Sequence, residues 1–251
     1  MKLLMDVGNT RTKIGEVSGG TIKRTWERHT RADETADELW ASIRSLTSAE
    51  AEETEIKAVS VVPSVSTALR IAAEKYLSSP VFLLEPPWDE ATIEIGTREP
   101  ERVGGDRVAA AEAIYRLYGG GIVVDFGTAT TVEAVSAEGE YLGGVILPGV
   151  DAGAESLTSA AAGLPVFAPR RPSELKTSTT EEALQSGLYY GTAGAVELIV
   201  KRMREKFGLS SNLPVVATGG RGAEFEPIIE AVTDLAPDLV LKGLGFIGQN
   251  W

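Results

Sequence analysis

The alternation of hydrophobic and polar positions in the first half of the chain predicts strands and helices. Short apolar runs and period-two alternation are typical of strands, whereas apolar residues three and four positions apart are typical of helices. The segment from 86 to 104 fits neither pattern and is expected to be irregular. By these criteria the predicted strands are 2–7, 12–17, 21–27, 57–62 and 80–85, and the predicted helices are 33–47, 64–77 and 106–118.

The second half of the chain starts the same pattern again. An apolar strand is followed by two strands that a Glu138-Gly139 turn joins, and helices and further strands come after them. The predicted strands are 121–127, the hairpin 132–146, 214–220 and a last strand 238–245, and the predicted helices are 151–163, 181–205 and 224–233.

The two halves can be aligned on two aspartates. Asp6 and Asp125 each end an apolar strand and begin an Asp-x-Gly turn, and their offset, 125 − 6 = 119, is close to half of the 251 residues. We interpret this as an internal duplication that gives an α/β protein with two lobes, residues 1–118 and 119–251, each a mixed sheet flanked by helices. Ligands commonly bind in a cleft between such lobes.

The Asp-x-Gly turns have the chemistry of a phosphate site. Glycine lets a phosphate approach the backbone N–H groups, and the Asn9 or Thr128 beside it adds a side-chain donor. The aspartates could hold a cation, directly or through water. Asp-Gly and Asn-Thr are also ordinary turn residues, but two matched copies favour a nucleotide held from both sides.

Composition excludes several other classes of function. The formal net charge is −12, which argues against nucleic acid and anionic membranes as partners. With no cysteine and only His29 as histidine, a zinc-type site is excluded. No apolar run is long enough for a signal peptide or a membrane span, so we expect a cytoplasmic protein. The acidic cluster at 49–55 is expected to be a solvated helix end.

Two glycine-rich motifs could also indicate a nucleotide. Gly243, Gly245 and Gly248 match G-x-G-x-x-G, but the chain ends too soon for a following helix, so we interpret them as a terminal turn. Gly219 and Gly220 follow a buried strand and precede a predicted helix, which suits either an adenine and ribose or a simple strand-to-helix turn. A P-loop motif does not occur in the sequence.

Together these motifs resemble the acetate and sugar kinase, Hsp70 and actin superfamily, whose members have two ribonuclease-H-like lobes with ATP between them. Within it the chain resembles type III pantothenate kinases over nearly its whole length. The resemblance rests on DVGNT at 6–10, SVVP at 60–63, GGDR at 104–107, DFGTATT at 125–131, YLGGVILPG at 141–149, TEEALQSGLYYG at 180–191 and ATGG at 217–220.

The resemblance implies ATP-dependent phosphorylation of pantothenate to 4′-phosphopantothenate, the first step of coenzyme A biosynthesis. It implies Asp106 as catalytic base and Asp125 as ligand of a monovalent cation, K⁺ or NH₄⁺. It also implies a homodimer. From its place at a strand end, we expect Asp6 to reach Mg²⁺ through water. The implied ATP-binding residues are Asp6, Val7, Gly8, Asn9, Thr10, Arg11, Thr12, Lys13 and Thr128, and the implied pantothenate-binding residues are Gly104, Gly105, Asp106, Arg107 and Thr180.

Some of these residues have simpler explanations. Asp106 could be only the N-cap of its helix, and Thr180 only the first residue of a helix that a Thr179–Glu182 capping box begins. Thr97 stands where the family has a tyrosine that lines the substrate pocket, Glu99 replaces an asparagine, and Gly105 replaces an alanine, which should loosen the turn. A non-catalytic ATP-binding paralogue with a regulatory role and a kinase for another small hydroxy acid therefore remain alternatives.

Overall fold

The computed structural model describes residues 1–47, 54–161 and 163–248, so most of the acidic cluster at 49–55 lies outside it. The chain forms two compact units. The first comprises Met1–Arg116 together with the C-terminal segment that begins at Leu239, and the second comprises Leu117–Asp238. The boundary predicted at residue 118 stays a prediction, and the segment after Leu239 groups with the first unit rather than the second.

The sheet of the first unit has the strand order β3-β2-β1-β4-β5. Strands β1, β2 and β3 are antiparallel, whereas β4 is parallel to both β1 and β5. Its strands are β1 (Lys2–Val7), β2 (Arg11–Ser18), β3 (Thr21–His29), β4 (Glu55–Ser60) and β5 (Phe82–Leu83). The unit also contains the short strand β6 (Glu94–Ile95), which is not part of this sheet, and the helices α1 (Ala36–Thr47), α2 (Pro63–Tyr76), α3 (Gly105–Tyr118) and, near the C-terminus, α7 (Leu239–Phe246).

Helices cover both faces of this sheet. Leu3, Met5 and Val7 of β1 share a buried apolar cluster with residues of α1 and α2. The alternate positions face the other way, because successive side chains of a strand point to opposite faces. On that side a Cβ added to Gly245 of α7 would lie 3.4 Å from Leu4 Cδ1. Asp6 is in phase with Leu4 and therefore lies on the α7 side of the sheet.

The prediction of a last strand at 238–245 was wrong, because this segment is helix α7. A short apolar run cannot by itself distinguish a buried strand from a buried helix. Gly243 shows why the helix needs a glycine: an added Cβ would lie 1.7 Å from the Ala109 carbonyl oxygen of α3. The predicted terminal glycine turn was also wrong, since Gly243 and Gly245 are helical and only Gly248 has a positive φ, of 66°.

Lys57, in the middle of β4, stabilises the end of α7. Its side chain is almost fully buried, and Nζ donates hydrogen bonds to the carbonyl oxygens of Ile247 and, at 3.3 Å, Gly248. The amine thus provides donors for backbone carbonyl groups of the two residues that follow α7. Burial, with a smaller contribution from Lys2, lowers the Lys57 pKa to about 8.

The strands of the second unit repeat the arrangement of the first. Within the unit they follow the order β11-β10-β7-β8-β9, with β7, β8 and β9 antiparallel and β10 parallel to both β7 and β11. These strands are β7 (Gly121–Phe126), β8 (Ala129–Val135), β9 (Glu140–Pro148), β10 (Val215–Thr218) and β11 (Asp234–Leu235). The predicted α/β fold of two ribonuclease-H-like lobes is confirmed.

The helices of the second unit are α4 (Val150–Ala160), α5 (Thr180–Phe207) and the short α6 (Gly222–Phe225). The helix predicted over 224–233 is much shorter than expected. A 3₁₀ turn, Glu226–Ile228, follows α6 directly, and the next residue, Ile229, is extended at φ −115° and ψ 105°. Pro227 lies in this turn, and its missing N–H prevents it from continuing a regular helix.

Candidate active site

The first candidate element is the β1–β2 hairpin with Asp6 near the end of β1. The Gly8 N–H donates to the Arg11 carbonyl oxygen at 3.0 Å, and an added Cβ on Gly8 would lie 3.1 Å from the same oxygen. The tip residues Asn9, Thr10 and Arg11 are exposed. The turn therefore presents backbone and polar side chains to solvent, as a phosphate loop requires.

The predicted ATP-binding residues of this hairpin have different environments in the structure. Thr12 is buried, and its hydroxyl shares a 2.9 Å hydrogen bond with the Thr30 hydroxyl. The Arg11 guanidinium donates to Glu27 at 3.0 Å. Lys13 pairs with Asp6 across the strands, so their side chains lie on one face of the sheet. Asn9 and Thr10 are exposed at the tip, and Lys13 shares a face of the sheet with Asp6.

The second candidate element is the N-terminus of α3. The Gly104 carbonyl accepts hydrogen bonds from the N–H groups of Arg107 at 3.0 Å and Val108 at 3.1 Å, which makes Gly104 the N-cap. Asp106 is the second helical residue, so the N-cap alternative does not describe it. An added Cβ on Gly104 would lie 2.5 Å from Asp106 Oδ1, so glycine leaves room for that carboxylate.

Gly105 connects this helix to the hairpin. An added Cβ would lie 2.6 Å from Val59 Cγ2, and Val59 is paired with Asp6 in the parallel β1–β4 ladder. Paired residues of parallel strands point to the same face, so Asp6 and the start of α3 lie on one face at the carboxyl ends of β1 and β4. Gly105 does not simply loosen the turn, as the sequence comparison suggested; it allows close contact between α3 and β4.

A buried carboxylate holds the loop that precedes α3. Glu112 is fully buried, and its Oε2 accepts hydrogen bonds from the N–H groups of Thr92 at 2.8 Å and Ile93 at 3.2 Å. Farther along, the Trp88 indole N–H donates to the Pro100 carbonyl at 2.8 Å. The hydroxyl of Thr97 is buried and has no hydrogen-bond partner within the described residues.

The third candidate element is Asp125, at the end of β7 in the second unit. Its paired residues on the neighbouring strands are Thr131 and Thr218. Gly219 has a φ of 83°, and an added Cβ would lie 2.3 Å from Asp125 Oδ1. The glycine therefore lets the backbone pack directly against the carboxylate.

Gly149 packs on the turn that follows β7. An added Cβ would lie 2.3 Å from the Thr128 carbonyl oxygen and 2.6 Å from the Gly127 carbonyl oxygen. The Pro148-Gly149 segment before α4 thus packs directly on the exposed Gly127-Thr128 turn. Sequence reasoning did not identify this contact, although the glycine after a proline was visible in YLGGVILPG.

An arginine network also escaped the sequence analysis. Arg221 donates to both carboxylate oxygens of Asp151, from Nε at 3.0 Å and from Nη2 at 2.6 Å. Its Nη1 donates to the Tyr189 hydroxyl at 2.9 Å and to Glu224 at 3.0 Å. The hydrogen bond to Asp151 and the acidic surroundings raise the Arg221 pKa further, so the guanidinium stays charged. The sequence signal that could have identified Arg221 is its position directly after the Thr-Gly-Gly motif.

Thr180 is the exposed first residue of α5. The predicted capping box is confirmed: Thr179 Oγ1 accepts from the Glu182 N–H at 3.2 Å, and Glu182 Oε2 accepts from the Thr179 N–H at 3.2 Å. The position of Thr180 agrees with the simpler explanation of a first helical residue, and its role toward substrate stays a prediction.

Two general features of the described chain bear on its chemistry. Residues 1–47, 54–161 and 163–248 contain no cluster of three or more His, Cys, Asp or Glu side chains suited to a metal ion. Within the same ranges, no helix combines the length and apolar character needed to cross a bilayer.

Comparison with known proteins gives one consistent result. A family model described as type III pantothenate kinase matches residues 2–202. The type III pantothenate kinase of Rhodospirillum rubrum is 38% identical over 255 aligned positions, which cover 100% of this chain and 98% of the relative.

Solved structures agree on the fold. A candidate Baf family transcriptional activator from Campylobacter jejuni superposes with a TM-score of 0.63 and 19% identity, covering 96% of this chain and 94% of that chain. The Lmo2764 protein of Listeria monocytogenes, a candidate N-acetylmannosamine kinase, gives a TM-score of 0.54 at 13% identity, covering 98% of this chain and 97% of that chain.

Proposed function

The chain belongs to the type III pantothenate kinase family, and we propose that it transfers the γ-phosphoryl group of ATP to the primary hydroxyl of pantothenate, in coenzyme A biosynthesis. The observation that carries this proposal is the match to the family over both Asp-x-Gly hairpins and the Gly-Gly-Asp-Arg helix start. Phosphoryl transfer depends mainly on positioning and on neutralising charge, which these elements can supply.

ATP binding is assigned to both hairpins. In the first, exposed backbone and the side chains of Asn9, Thr10 and Lys13 would bind phosphate oxygens. In the second, Thr128 would add a hydroxyl, beside the Gly127 backbone that Gly149 supports. Asp6 would reach Mg²⁺ through water, since Mg²⁺ in such sites retains several waters and binds few carboxylates. That ATP lies in a cleft between the lobes stays a prediction.

A monovalent cation is assigned to Asp125. A carboxylate is a suitable ligand for K⁺ or NH₄⁺, and this one packs against the Gly219 backbone, where an added Cβ would lie 2.3 Å from Asp125 Oδ1. Its neighbours on the adjacent strands, Thr131 and Thr218, are neutral hydroxyl residues. The bound cation would supply positive charge beside the nucleotide, and Asp125 would hold it there.

Asp106 is assigned the role of general base. A positioned carboxylate can take the hydroxyl proton as the new P–O bond forms. Two features hold the Asp106 carboxylate in place: the positive end of the α3 dipole, and a 2.9 Å hydrogen bond from the Arg107 N–H. Arg107 could bind the pantothenate carboxylate through two parallel hydrogen bonds. Gly104, Gly105 and Thr180 complete the proposed pantothenate site.

A homodimer is part of the proposal. The second unit exposes large apolar side chains, which often mark an interaction surface. Those on the helices and strands that lie wholly within it are Val145 and Ile146 on β9, Leu157 on α4 and Leu198 on α5, with exposed fractions of 39%, 61%, 41% and 56%. Val166 and Leu175, outside the helices and strands, are 92% and 67% exposed. Sedimentation equilibrium should give twice the chain mass of 26.6 kDa, whereas a single chain mass would contradict the dimer. A cytoplasmic location stays a prediction.

One observation supports a second candidate substrate class, small hydroxy acids other than pantothenate. Thr97 replaces the family tyrosine, and its buried hydroxyl has no partner in the described parts of the chain, so this pocket wall differs. A coupled ADP assay across small hydroxy acids tests both candidates. We expect ADP release only with pantothenate and stimulation by K⁺ or NH₄⁺. Release with another acid alone would favour the second class, and release without any acceptor would contradict both.

A further inference from the structure

We propose that Arg221 and Asp151 form a positioning pair that shapes the nucleotide half-site of the second unit. This inference rests on the proposed function, because it assumes that ATP and a cation bind near Thr128 and Asp125. Neither residue belongs to the motifs assigned to ATP or pantothenate. The pair joins the loop after β10 to the first turn of α4 through two parallel hydrogen bonds, at 3.0 and 2.6 Å.

Each partner lies two residues from a glycine that forms the half-site. Gly219 precedes Arg221 and packs against the Asp125 carboxylate, while Gly149 precedes Asp151 and packs on the carbonyl oxygens of Gly127 and Thr128. A bond between Arg221 and Asp151 therefore fixes the spacing of the two backbone segments that border the site. Small displacements of positioned groups have large effects on phosphoryl transfer.

The guanidinium is itself anchored to the core of the unit. Its Nη1 donates to the Tyr189 hydroxyl and to Glu224, and the Arg221 N–H donates to the Phe126 carbonyl oxygen at 3.2 Å. The Tyr189 ring stacks on Phe225 at 5.1 Å, and Phe225 stacks on Phe126 at 4.4 Å. Through these hydrogen bonds Arg221 links Asp151 to a stack of three aromatic rings, Tyr189, Phe225 and Phe126.

The geometry assigns Arg221 to positioning rather than to ligand contact. All three guanidinium nitrogens already donate to protein acceptors in the second unit. The Asp151 side chain is 60% exposed, and ion pairs at such sites contribute little to stability. Loss of the pair should therefore alter nucleotide binding more than folding.

The test compares Arg221→Met, Arg221→Lys, Asp151→Asn and the double variant Arg221→Met/Asp151→Asn. The matched control is Arg202→Met, which removes an exposed 3.0 Å ion pair with Glu205 in the same unit. For each, calorimetry gives the ATP dissociation constant, and steady-state kinetics give KM for pantothenate, KM for ATP and the K⁺ concentration for half-maximal activation. Urea unfolding monitors stability.

We expect the ATP dissociation constant and the K⁺ requirement to rise by about three- to tenfold in each pair variant, with KM for pantothenate unchanged. Arg221→Met loses the contacts with Tyr189 and Glu224 as well as the pair with Asp151. The double variant should therefore be no worse than Arg221→Met, because the Arg221–Asp151 interaction is already lost in that single variant. Arg221→Lys should resemble Arg221→Met, since lysine cannot form the two-pronged contact. The control should resemble the wild type.

The outcomes separate this inference from the proposed function. Asp125→Asn and Thr128→Ala serve as references that alter the half-site directly. If they weaken ATP or K⁺ binding and the pair variants do not, the positioning pair is wrong while the proposed function stands. If the wild type itself binds no ATP, the proposed function fails first. Equal changes in the constants for ATP and pantothenate would show a general structural role and would overturn the inference.

Discussion

The two Asp-x-Gly hairpins share one strand arrangement but place different chemistry opposite the acid. Asp6 is paired with Lys13 on the antiparallel neighbour and with Val59 on the parallel neighbour. The corresponding partners of Asp125 are two threonines, Thr131 and Thr218. The first acid has a protein cation across the ladder, whereas the second has two threonines, of which Thr218 donates its hydroxyl to the Ala236 carbonyl oxygen at 2.7 Å.

The turns differ in length as well. Four residues separate the last pair of the first hairpin, Val7 and Thr12, whereas three separate Phe126 and Thr130 in the second. The longer tip exposes Asn9, Thr10 and Arg11. In the shorter tip, the carbonyl oxygens of Gly127 and Thr128 pack against Gly149. The two hairpins are thus similar frames with different turns, and the proposed function assigns phosphate oxygens to the first and a monovalent cation to the second.

The largest expected effect concerns Asp106, the proposed general base, which lies on α3 and has no equivalent in either hairpin. Asp106→Asn should lower kcat by about 10²–10⁴-fold, because the amide cannot accept the hydroxyl proton. ATP binding, measured by calorimetry, should persist. Asp33→Asn, which changes an 83% exposed carboxylate of the same unit, is the control. Normal turnover in Asp106→Asn would remove the general base from the mechanism.

The next effect separates the two hairpins directly. Asp125→Asn should raise the K⁺ concentration for half-maximal activation by about tenfold or more, as expected for loss of a charged ligand. Asp6→Asn should leave that value close to wild type and instead raise the Mg²⁺ requirement. Titrating each ion at saturating ATP measures both. The reverse pattern would show that the two roles have been exchanged.

A third prediction tests the contact that places α3 beside Asp6. Gly105→Ala should destabilise the protein by about 1–3 kcal/mol, because the new methyl group meets Val59 in a packed core. Adding Val59→Ala should recover part of this loss, so the two changes are not additive. Urea unfolding measures the effect. Gly187→Ala in α5, where an added Cβ meets nothing within 4 Å, should be neutral or stabilising.

Additive losses in the Gly105→Ala/Val59→Ala variant would mean that the two residues do not pack against each other. The start of α3 would then have to be placed elsewhere relative to β4.

The smallest expected effect concerns β4 and β10, the parallel neighbours of β1 and β7, which carry different residues at one matching position. Lys57 of β4 lies two residues before Val59, and the matching position of β10 is Val216, two residues before Thr218. Burial lowers the Lys57 pKa to about 8 from 10.5. Between these values the unfolded chain retains a proton that the native protein has released, so raising the pH favours the native state.

The stability of the wild type should therefore rise relative to Lys57→Met from about pH 8 to about pH 10.5, with a slope approaching about 1.4 kcal/mol per pH unit. Chemical unfolding at several pH values measures this difference. A difference that is constant or falls with pH would show that Lys57 keeps an ordinary pKa in the native protein.

Much of the fold could be predicted because the signals are local. Apolar runs that end in Asp-x-Gly identified the hairpins, and the repeat at Asp6 and Asp125 identified the duplication. Helix α7 could not be predicted, since an eight-residue apolar segment suits a buried strand as well as a helix. Its helical form depends on packing against Ala109, which is far away in sequence.

Individual residues of the candidate site could be predicted where they belong to a recognisable sequence motif. The contacts of Gly149 with Gly127 and of Gly219 with Asp125 were not visible, because they depend on how separate loops pack. The Arg221–Asp151 pair was missed for the same reason: its members are 70 residues apart. Sequence can indicate which groups perform the chemistry, but the groups that position them become apparent only from the folded structure.

The division of roles between the hairpins can be tested most directly by a crystal structure with a non-hydrolysable ATP analogue, Mg²⁺ and Rb⁺, using the anomalous signal of Rb⁺. We predict a Rb⁺ peak beside Asp125 and the Gly219 backbone, and a triphosphate that contacts both the Gly8–Lys13 turn and Thr128. A Rb⁺ peak at Asp6, or a triphosphate bound away from either hairpin, would contradict this account.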